Sequence, residues 1–173
     1  IKIMPLQNKN NQKINSVNST ENPGIYLHIP FCEKKCGYCD FYSVTDFSFR
    51  TQFIKAIKTE ILNQAKSVQP TSTFDTIYFG GGTPSLLTLT ELSELLETIY
   101  KNFKISSDVE ITLEANPGTI TENTFKEYYD LGINRLSIGI QSFNDQELKF
   151  LGRIHDATQA EQTVQRAQSA GFD

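Results

Sequence analysis

The chain has 173 residues, enough for one domain with a substantial core, and its 38% apolar and 21% charged content is that of an ordinary globular protein. The 16 basic and 20 acidic residues give a formal net charge of −4, which argues against a nucleic-acid or membrane-surface partner. No apolar run approaches the length of a membrane-spanning helix, and three cysteines without an export signal predict a reduced, cytoplasmic protein.

Two regions differ in composition. Residues 1–23 are rich in Asn, Lys, Gln and Ser and lack an apolar period, which is typical of a disordered or loosely docked leader. Residues 24–173 alternate short apolar strands with amphipathic helices, so we expect an α/β domain with parallel strands and right-handed crossovers. The chain begins at Ile1 and stops at Asp173 within a helix-to-strand pattern, and we expect it to be the N-terminal part of a longer domain.

The predicted elements follow one another in regular alternation. Strands are predicted over residues 25–29, 76–79, 109–115 and 135–141. Helices are predicted around 53–62 and 89–99, over 121–131, near 145–151 and over 157–170. Thr88 and Glu91 form a capping-box pattern before the second helix, Gly132 follows the third as a C-cap, and Gly171 follows the last.

Each predicted strand has one apolar face and one small or polar face. One set of alternate strand positions, called here the apolar parity, carries Ile25, Leu27, Ile29, Ile77, Phe79, Val109, Ile111, Leu113, Leu136, Ile138 and Ile140. The other parity carries Tyr26, His28, Tyr78, Gly80, Glu110, Thr112, Glu114, Ser137, Gly139 and Gln141. In a sheet covered by helices on both faces, both sets of alternate strand positions are apolar. The interior of a closed eight-stranded barrel is filled by aliphatic residues. The pattern favours a curved sheet whose polar interior binds a polar ligand; a solvated sheet face is the alternative.

All three cysteines lie in one short loop after the first predicted strand. Cys32, Cys36 and Cys39 have the spacing Cys-x3-Cys-x2-Cys. A closed iron–sulfur cluster takes four cysteine ligands, so three leave one iron open to a substrate or cofactor. A zinc site completed by His28 is the alternative, although zinc ligands usually come in two separated pairs. The spacing favours the cluster.

Further candidate residues stand at the ends of the other strands. Gly80-Gly81-Gly82 ends the second strand, where it lets a ligand approach the backbone, and Glu114 and Gln141 end the third and fourth. Because ligand sites of βα folds lie beyond the carboxyl ends of the strands, we expect these residues beside the cysteine loop. For Arg153, the nearest following cation, a solvated surface position is the simpler interpretation.

Four motifs carry a resemblance to a known family. They are Tyr-Leu-His-Ile-Pro-Phe-Cys-x3-Cys-x-Tyr-Cys-Asp-Phe from Tyr26, then Gly-Gly-Gly-Thr-Pro, Glu-Ala-Asn-Pro and Ser-Ile-Gly-Ile-Gln-Ser-Phe. From Gly24 to its end the chain resembles radical S-adenosylmethionine (SAM) proteins of the coproporphyrinogen III dehydrogenase branch. The resemblance implies a partial (β/α)6 barrel, with about four βα units present, and a [4Fe–4S] cluster on the three cysteines with SAM on its open iron.

The resemblance also implies contacts with SAM. Tyr26, Gly81 and Glu114 match residues that contact the cluster-bound SAM, and Tyr38 matches a residue beside the cluster and the adenine. The positions that match contacts of a second SAM in the dehydrogenase are Gly82, Thr83, Gln141 and Arg153. The resemblance assigns no residue of this chain a catalytic role.

One position departs from the dehydrogenase pattern. The dehydrogenase carries a fourth cysteine two places after the third, where this chain has Phe41. The run from Cys39 to Phe41 is instead similar to the HemW group of heme chaperones. The resemblance therefore implies a HemW-type protein of the porphyrin pathway whose partners are heme or porphyrinogen, an electron donor for the cluster and a heme-acceptor protein. An oxygen-independent coproporphyrinogen III oxidase is the second interpretation, and a zinc-stabilised binding domain is the third.

Overall fold

A computed structural model describes residues 1–4, 22–120 and 122–172. The strands are β1 (Lys2–Met4), β2 (Gly24–Ile29), β3 (Thr73–Gly81), β4 (Lys104–Ala115) and β5 (Arg135–Ile138). The helices are α1 (Arg50–Ala65), α2 (Leu89–Asn102), α3 (Glu122–Asp130), α4 (Asp145–Phe150) and α5 (Ala157–Ser169). The strands form one sheet in the order β1-β2-β3-β4-β5, in which β2 to β5 are parallel. The predicted α/β fold with alternating strands and helices is confirmed.

Strand β1 lies in the segment for which an unstructured leader is predicted. Its three residues pair antiparallel with β2, Lys2 opposite Tyr26, and the amino group of Ile1 donates a hydrogen bond to Glu60 of α1 at 2.8 Å. Most of the predicted leader, residues 5–21, lies outside the described residues, so that prediction remains a prediction.

The predicted division of the strands into two faces is confirmed for β2, β3 and β4. Side chains of the apolar parity are buried in a single core, at 8% exposure or less: Ile25, Leu27, Ile29, Ile77, Phe79, Val109, Ile111 and Leu113. Helix α1 adds Ile54, Ile57 and Ile61 to this core, and α2 adds Leu92, Leu95, Leu96 and Ile99. The helices therefore cover the apolar face, and the polar parity faces the other side of the sheet. Within the described ranges, no helix combines the length and apolarity needed to cross a bilayer.

The start of α2 is held as the capping-box pattern predicts. The Thr88 hydroxyl accepts a hydrogen bond from the Glu91 amide at 3.2 Å, and the Thr88 amide donates to the Glu91 carboxylate at 2.8 Å. Arg50 at the start of α1 donates to the same carboxylate at 2.9 Å. Burial opposes ionisation of Glu91, but the hydrogen bonds from Arg50 and Thr88 outweigh it and lower the pKa of this carboxyl. The contact joins the start of α1 to the start of α2, beside the end of the sheet at which β3 terminates.

The fourth predicted strand is shorter than the sequence pattern indicates, since β5 ends at Ile138 rather than at residue 141. The chain leaves the sheet in two tight turns, in which the amide of Ile140 donates to the carbonyl of Ile138 and the amide of Ser142 to that of Ile140, both at 2.9 Å. Each is a three-residue γ-turn, and the second places Gln141 at a φ of 71°. The alternation of apolar residues in the sequence therefore extends to residue 140, beyond Ile138, where the backbone pairing of β5 ends.

Candidate functional site

The cysteine loop, residues 32–43, leaves the sheet after β2 and has a rigid base. The Val44 amide donates to the Pro30 carbonyl at 2.8 Å and the Cys32 amide to the Val44 carbonyl at 2.9 Å, which joins the two ends of the loop. Phe31 at this base is fully buried. Its ring centroid lies 5.2 to 5.5 Å from those of Phe47, Phe49 and Phe53. This aromatic contact holds the loop over the end of the sheet.

All three cysteines line one cavity of about 530 Å³. They are free thiols; Cys32 is buried, and Cys36 and Cys39 are half-buried and joined by a backbone hydrogen bond of 3.1 Å from the Cys39 amide. The other lining residues from the loop are Lys34, Lys35, Tyr38, Asp40, Phe41 and Ser43. Those from the strand ends and the α4–α5 connection are Gly81, Gly82, Thr83, Glu114, Ala115, Asn116, Ser137, Gly139, Gln141 and Arg153. The fold thus brings the loop and the strand ends to one site.

Two glycines at the end of β3 allow the strand to approach its neighbours. A Cβ on Gly82 would lie 2.6 Å from the Phe31 carbonyl oxygen and 3.0 Å from Cys32 Sγ. Gly81 has a φ of 116°, and a Cβ there would meet the His28 ring at 2.6 Å. The close packing of the end of β3 against β2 at Gly81, and against the base of the cysteine loop at Gly82, therefore requires glycine at both positions.

The Glu114 carboxylate is held at the cavity wall by two donors. The Tyr78 hydroxyl donates to it at 2.7 Å, and the Gly81 amide donates at 3.0 Å. Burial first, and then the bond to Glu114, raise the pKa of Tyr78 to about 12, so its phenol keeps the proton that it donates. Glu114 therefore presents a positioned anion, which suits a cationic ligand group such as an ammonium.

Gln141 lines the cavity and has a strained backbone conformation. It is the one non-glycine residue of the described ranges with a positive φ, and the γ-turn that it centres is of the rare kind. His155 supports this turn, because its Nε2 donates to the Ile140 carbonyl at 3.0 Å. His155 is only 4% exposed, and its Nδ1 is buried without a partner among the described groups.

We expect His155 to make stability depend on pH. Burial, and secondarily the charge of Arg153, lower the pKa of His155 below its ordinary 6.5, although the Ile140 carbonyl and Asp156 act in the opposite direction. The imidazole then binds a proton more tightly in the unfolded chain than in the folded one. The contribution of the neutral ring to the free energy of unfolding is therefore complete above the unfolded-state pKa, and it is lost as pH falls through the lower folded-state pKa. In His155→Gln, which keeps a donor for Ile140, the fall in urea midpoint between about pH 7.5 and 5.5 should be smaller than in the wild type. Equal falls in the two proteins would contradict this.

Arg153 is not the solvated surface cation that its sequence context indicates. Its backbone is held by the Leu148 carbonyl at 2.9 Å, and its guanidinium reaches into the cavity wall. Nη2 donates to the Gly139 carbonyl at 2.7 Å and to Asn116 Oδ1. Nη1 lies 3.3 Å from the Tyr38 hydroxyl and 3.7 Å from Cys36 Sγ. A single side chain thus connects the cysteine loop to the ends of β4 and β5.

Comparison with known proteins identifies this arrangement. The radical SAM superfamily profile matches residues 26–173, which include the cysteine loop and every strand end of the cavity. The chain belongs to the radical SAM superfamily. Membership implies a [4Fe–4S] cluster and SAM as cofactors.

The individual relatives are longer than this chain, which matches only part of each of them. The heme chaperone HemW of Haemophilus influenzae is 40% identical over 154 residues, which are 86% of this chain and 40% of the relative. HemW of Escherichia coli is 38% identical over 150 residues, 86% of this chain and 39% of the relative. The structure of coproporphyrinogen III oxidase (HemN) from Escherichia coli, a radical SAM enzyme, superposes with a TM-score of 0.79 at 29% identity, over 86% of this chain and 35% of that one. The chain spans about two fifths of the curated relatives that it matches.

The donor set fits the cluster better than it fits zinc. Both ring nitrogens of His28 form hydrogen bonds, Nε2 with the Tyr42 carbonyl at 2.9 Å and Nδ1 with the Tyr26 hydroxyl at 3.1 Å. His28 therefore has no free ring nitrogen with which to complete a zinc site on the cysteines. A zinc ion needs its ligands within about 2.0–2.3 Å of one point. No three His, Cys, Asp or Glu side chains of the described ranges form such a group. A cluster places each cysteine on a different iron and does not need that convergence.

The structure gathers nearly all of the residues that the resemblance assigns to SAM. Tyr38, Gly81, Gly82, Thr83, Glu114, Gln141 and Arg153 line the cavity with the cysteines, whereas Tyr26 does not line it and stacks on Tyr78 at 5.9 Å. Four further residues line the cavity without having been predicted as site residues: Lys34, Lys35, Asn116 and Ser137. Asn116 belongs to the Glu-Ala-Asn-Pro motif, and its position directly after a strand was the signal that pointed to it.

Proposed function

We propose that the protein of which this chain forms the radical SAM part is a HemW-type heme chaperone. The observation that carries the proposal is the 38–41% identity of residues in this part to heme chaperones named HemW from several bacteria. Heme binding, a heme-acceptor protein and a cytoplasmic location are parts of this proposal. Reduced thiols at the site are consistent with that location.

In this proposal Cys32, Cys36 and Cys39 hold the [4Fe–4S] cluster, whose open iron leaves a place for SAM. When bound and reduced by an electron donor, the cluster supplies the electron that cleaves SAM. Glu114, Gly81 and Tyr26 would contact SAM at the open iron, and Tyr38 would lie beside the cluster and the adenine. The residues proposed for a second SAM are Gly82, Thr83, Gln141 and Arg153.

The loop also offers contacts suited to a tetrapyrrole. Phe41 and Tyr38 line the cavity with their side chains 69% and 48% exposed, although both are aromatic. Lys34 and Lys35 line the same cavity, and neither has an ion-pair partner among the described residues. A heme has an apolar face and two carboxylates, so two aromatic rings beside two ammonium groups match its chemistry. These four residues are the proposed heme-facing rim.

The second candidate is an oxygen-independent coproporphyrinogen III oxidase. The structural similarity to HemN, with a TM-score of 0.79, favours it. Phe41 is the local difference, since the resemblance places a cysteine of the oxidase there.

The full-length protein, reconstituted without oxygen and supplied with SAM and reductant, tests the proposal. We expect stoichiometric heme binding by absorption titration and no decarboxylation of coproporphyrinogen III. Phe41→Ala with Lys34→Gln and Lys35→Gln should weaken heme binding about 10-fold or more, while Lys55→Gln, an exposed lysine on α1, should leave it unchanged. Turnover of coproporphyrinogen III would establish the oxidase instead, and unchanged heme affinity in the triple variant would move the heme away from this rim.

A further inference from the structure

Two of the three cysteine sulfurs are connected by an unbroken series of side-chain hydrogen bonds. Thr83 Oγ1 lies 3.6 Å from Cys32 Sγ, and Asn116 Nδ2 lies 3.0 Å from the same Thr83 oxygen. Arg153 Nη2 contacts Asn116 Oδ1, and Arg153 Nη1 lies 3.7 Å from Cys36 Sγ. The series, Cys32-Thr83-Asn116-Arg153-Cys36, joins residues that follow β2, β3, β4 and α4.

The chemistry of Arg153 determines the direction of every bond in this series. A guanidinium has donors only, so Asn116 must turn its carbonyl oxygen toward Arg153 and its amino group toward Thr83. Thr83 Oγ1 therefore accepts from Asn116, and its single hydrogen is directed to Cys32 Sγ. Both ends of the series consequently donate to sulfur, one through a neutral hydroxyl and one through a charged group.

The series also lies in surroundings that strengthen it. Thr83 is only 4% exposed, and Arg153 Nε is buried without a hydrogen-bond partner among the described groups. No carboxylate of the described residues forms an ion pair with Arg153, and its guanidinium contacts Cys36 Sγ, the Tyr38 hydroxyl, Asn116 Oδ1 and the Gly139 carbonyl instead. Charge interactions at partly buried positions are screened less than at an exposed surface.

We propose that Arg153 is a positioning residue that, directly at Cys36 and through Asn116 and Thr83 at Cys32, raises the reduction potential of the cluster. Reduction adds one negative charge to the cluster and its thiolates. Hydrogen bonds to the sulfurs and a nearby cation stabilise that added charge, and both are recognised determinants of cluster potential. The proposal needs the cluster that family membership implies, and it is independent of heme binding.

The experiment is a potentiometric titration of the cluster in the full-length protein, without SAM or heme, followed by electron paramagnetic resonance of the reduced form. Arg153→Gln should shift the midpoint potential to a more negative value. Thr83→Val, which removes one O–H···S bond at constant charge and nearly constant shape, should shift it in the same direction by less. Arg153→Lys keeps the charge but not the two-pronged contact, so its potential should lie between those of wild type and Arg153→Gln.

Arg166→Gln is the matched control, because it removes one positive charge from an exposed position on α5 outside the cavity lining. It should have the wild-type potential. Wild-type potentials in both Thr83→Val and Arg153→Gln, at full iron and sulfide content, would overturn the proposal. If Arg153→Gln does not retain four irons, Thr83→Val and Arg153→Lys decide the question by the same measurement.

Discussion

Cys36→Ser should abolish the cluster and, with it, the stabilisation that the cluster gives to the folded protein. The three cysteines line one cavity, and the sequence contains no other cysteine that could replace the lost ligand. A serine hydroxyl is a harder and far less acidic ligand than a thiol, so one iron loses its attachment to the protein. Iron and acid-labile sulfide, measured after anaerobic reconstitution, should fall from about four of each per chain to a small residual amount.

The same variant separates a resident cluster from a merely structural loop. Because a cofactor that binds only the folded state stabilises it, reconstitution should raise the melting temperature of the wild type but not that of Cys36→Ser. Ser43→Ala is the control within the loop, since the Ser43 hydroxyl is buried and has no hydrogen-bond partner in the described part of the chain. Full iron and sulfide in Cys36→Ser would show that Cys36 is not a ligand, and one zinc in their place would establish the zinc-stabilised domain.

Gly82→Ala should separate the cysteine loop from β3. The new methyl group would lie 2.6 Å from the Phe31 carbonyl oxygen and 2.9 Å from the Pro30 carbonyl carbon, both backbone atoms. These atoms belong to the hydrogen-bonded base of the loop, where the Gly82 amide donates to the Ile29 carbonyl at 2.8 Å. Overpacking of this kind costs about 1–3 kcal/mol, and relief of the clash moves Cys32 away from the strand ends. We expect a lower urea midpoint together with reduced iron incorporation.

Gly37→Ala is a stringent control for this prediction. Gly37 lies in the same loop between two of the cysteines, but a Cβ there has no heavy atom within 4 Å. The variant should fold and load iron as the wild type does. Equal iron content and equal urea midpoints in Gly82→Ala and wild type would mean that β3 does not hold the cysteine loop in place.

Several features of the site followed from local pattern. The alternation of apolar residues in the strands predicted a sheet with one buried face, and Ile25, Leu27 and Ile29 lie in the core as that alternation requires. The spacing of the three cysteines predicted thiols close to one another, and the ends of neighbouring parallel strands necessarily meet at one edge of a sheet. Hydrophobic period, spacing within a loop and chain direction are properties of short segments, so one sequence suffices to show them.

From β2 onward, the sequence by itself determined the order of the strands and helices along the chain, the buried face and the position of the three thiols. Only the tertiary structure decided that β5 stops at Ile138, that Gln141 occupies a strained turn, and that Arg153 belongs to the site. Arg153 and Cys36 are 117 positions apart, and the bond between them depends on where α4 ends relative to the sheet. Such contacts arise from packing between distant segments, which no periodicity within a segment encodes.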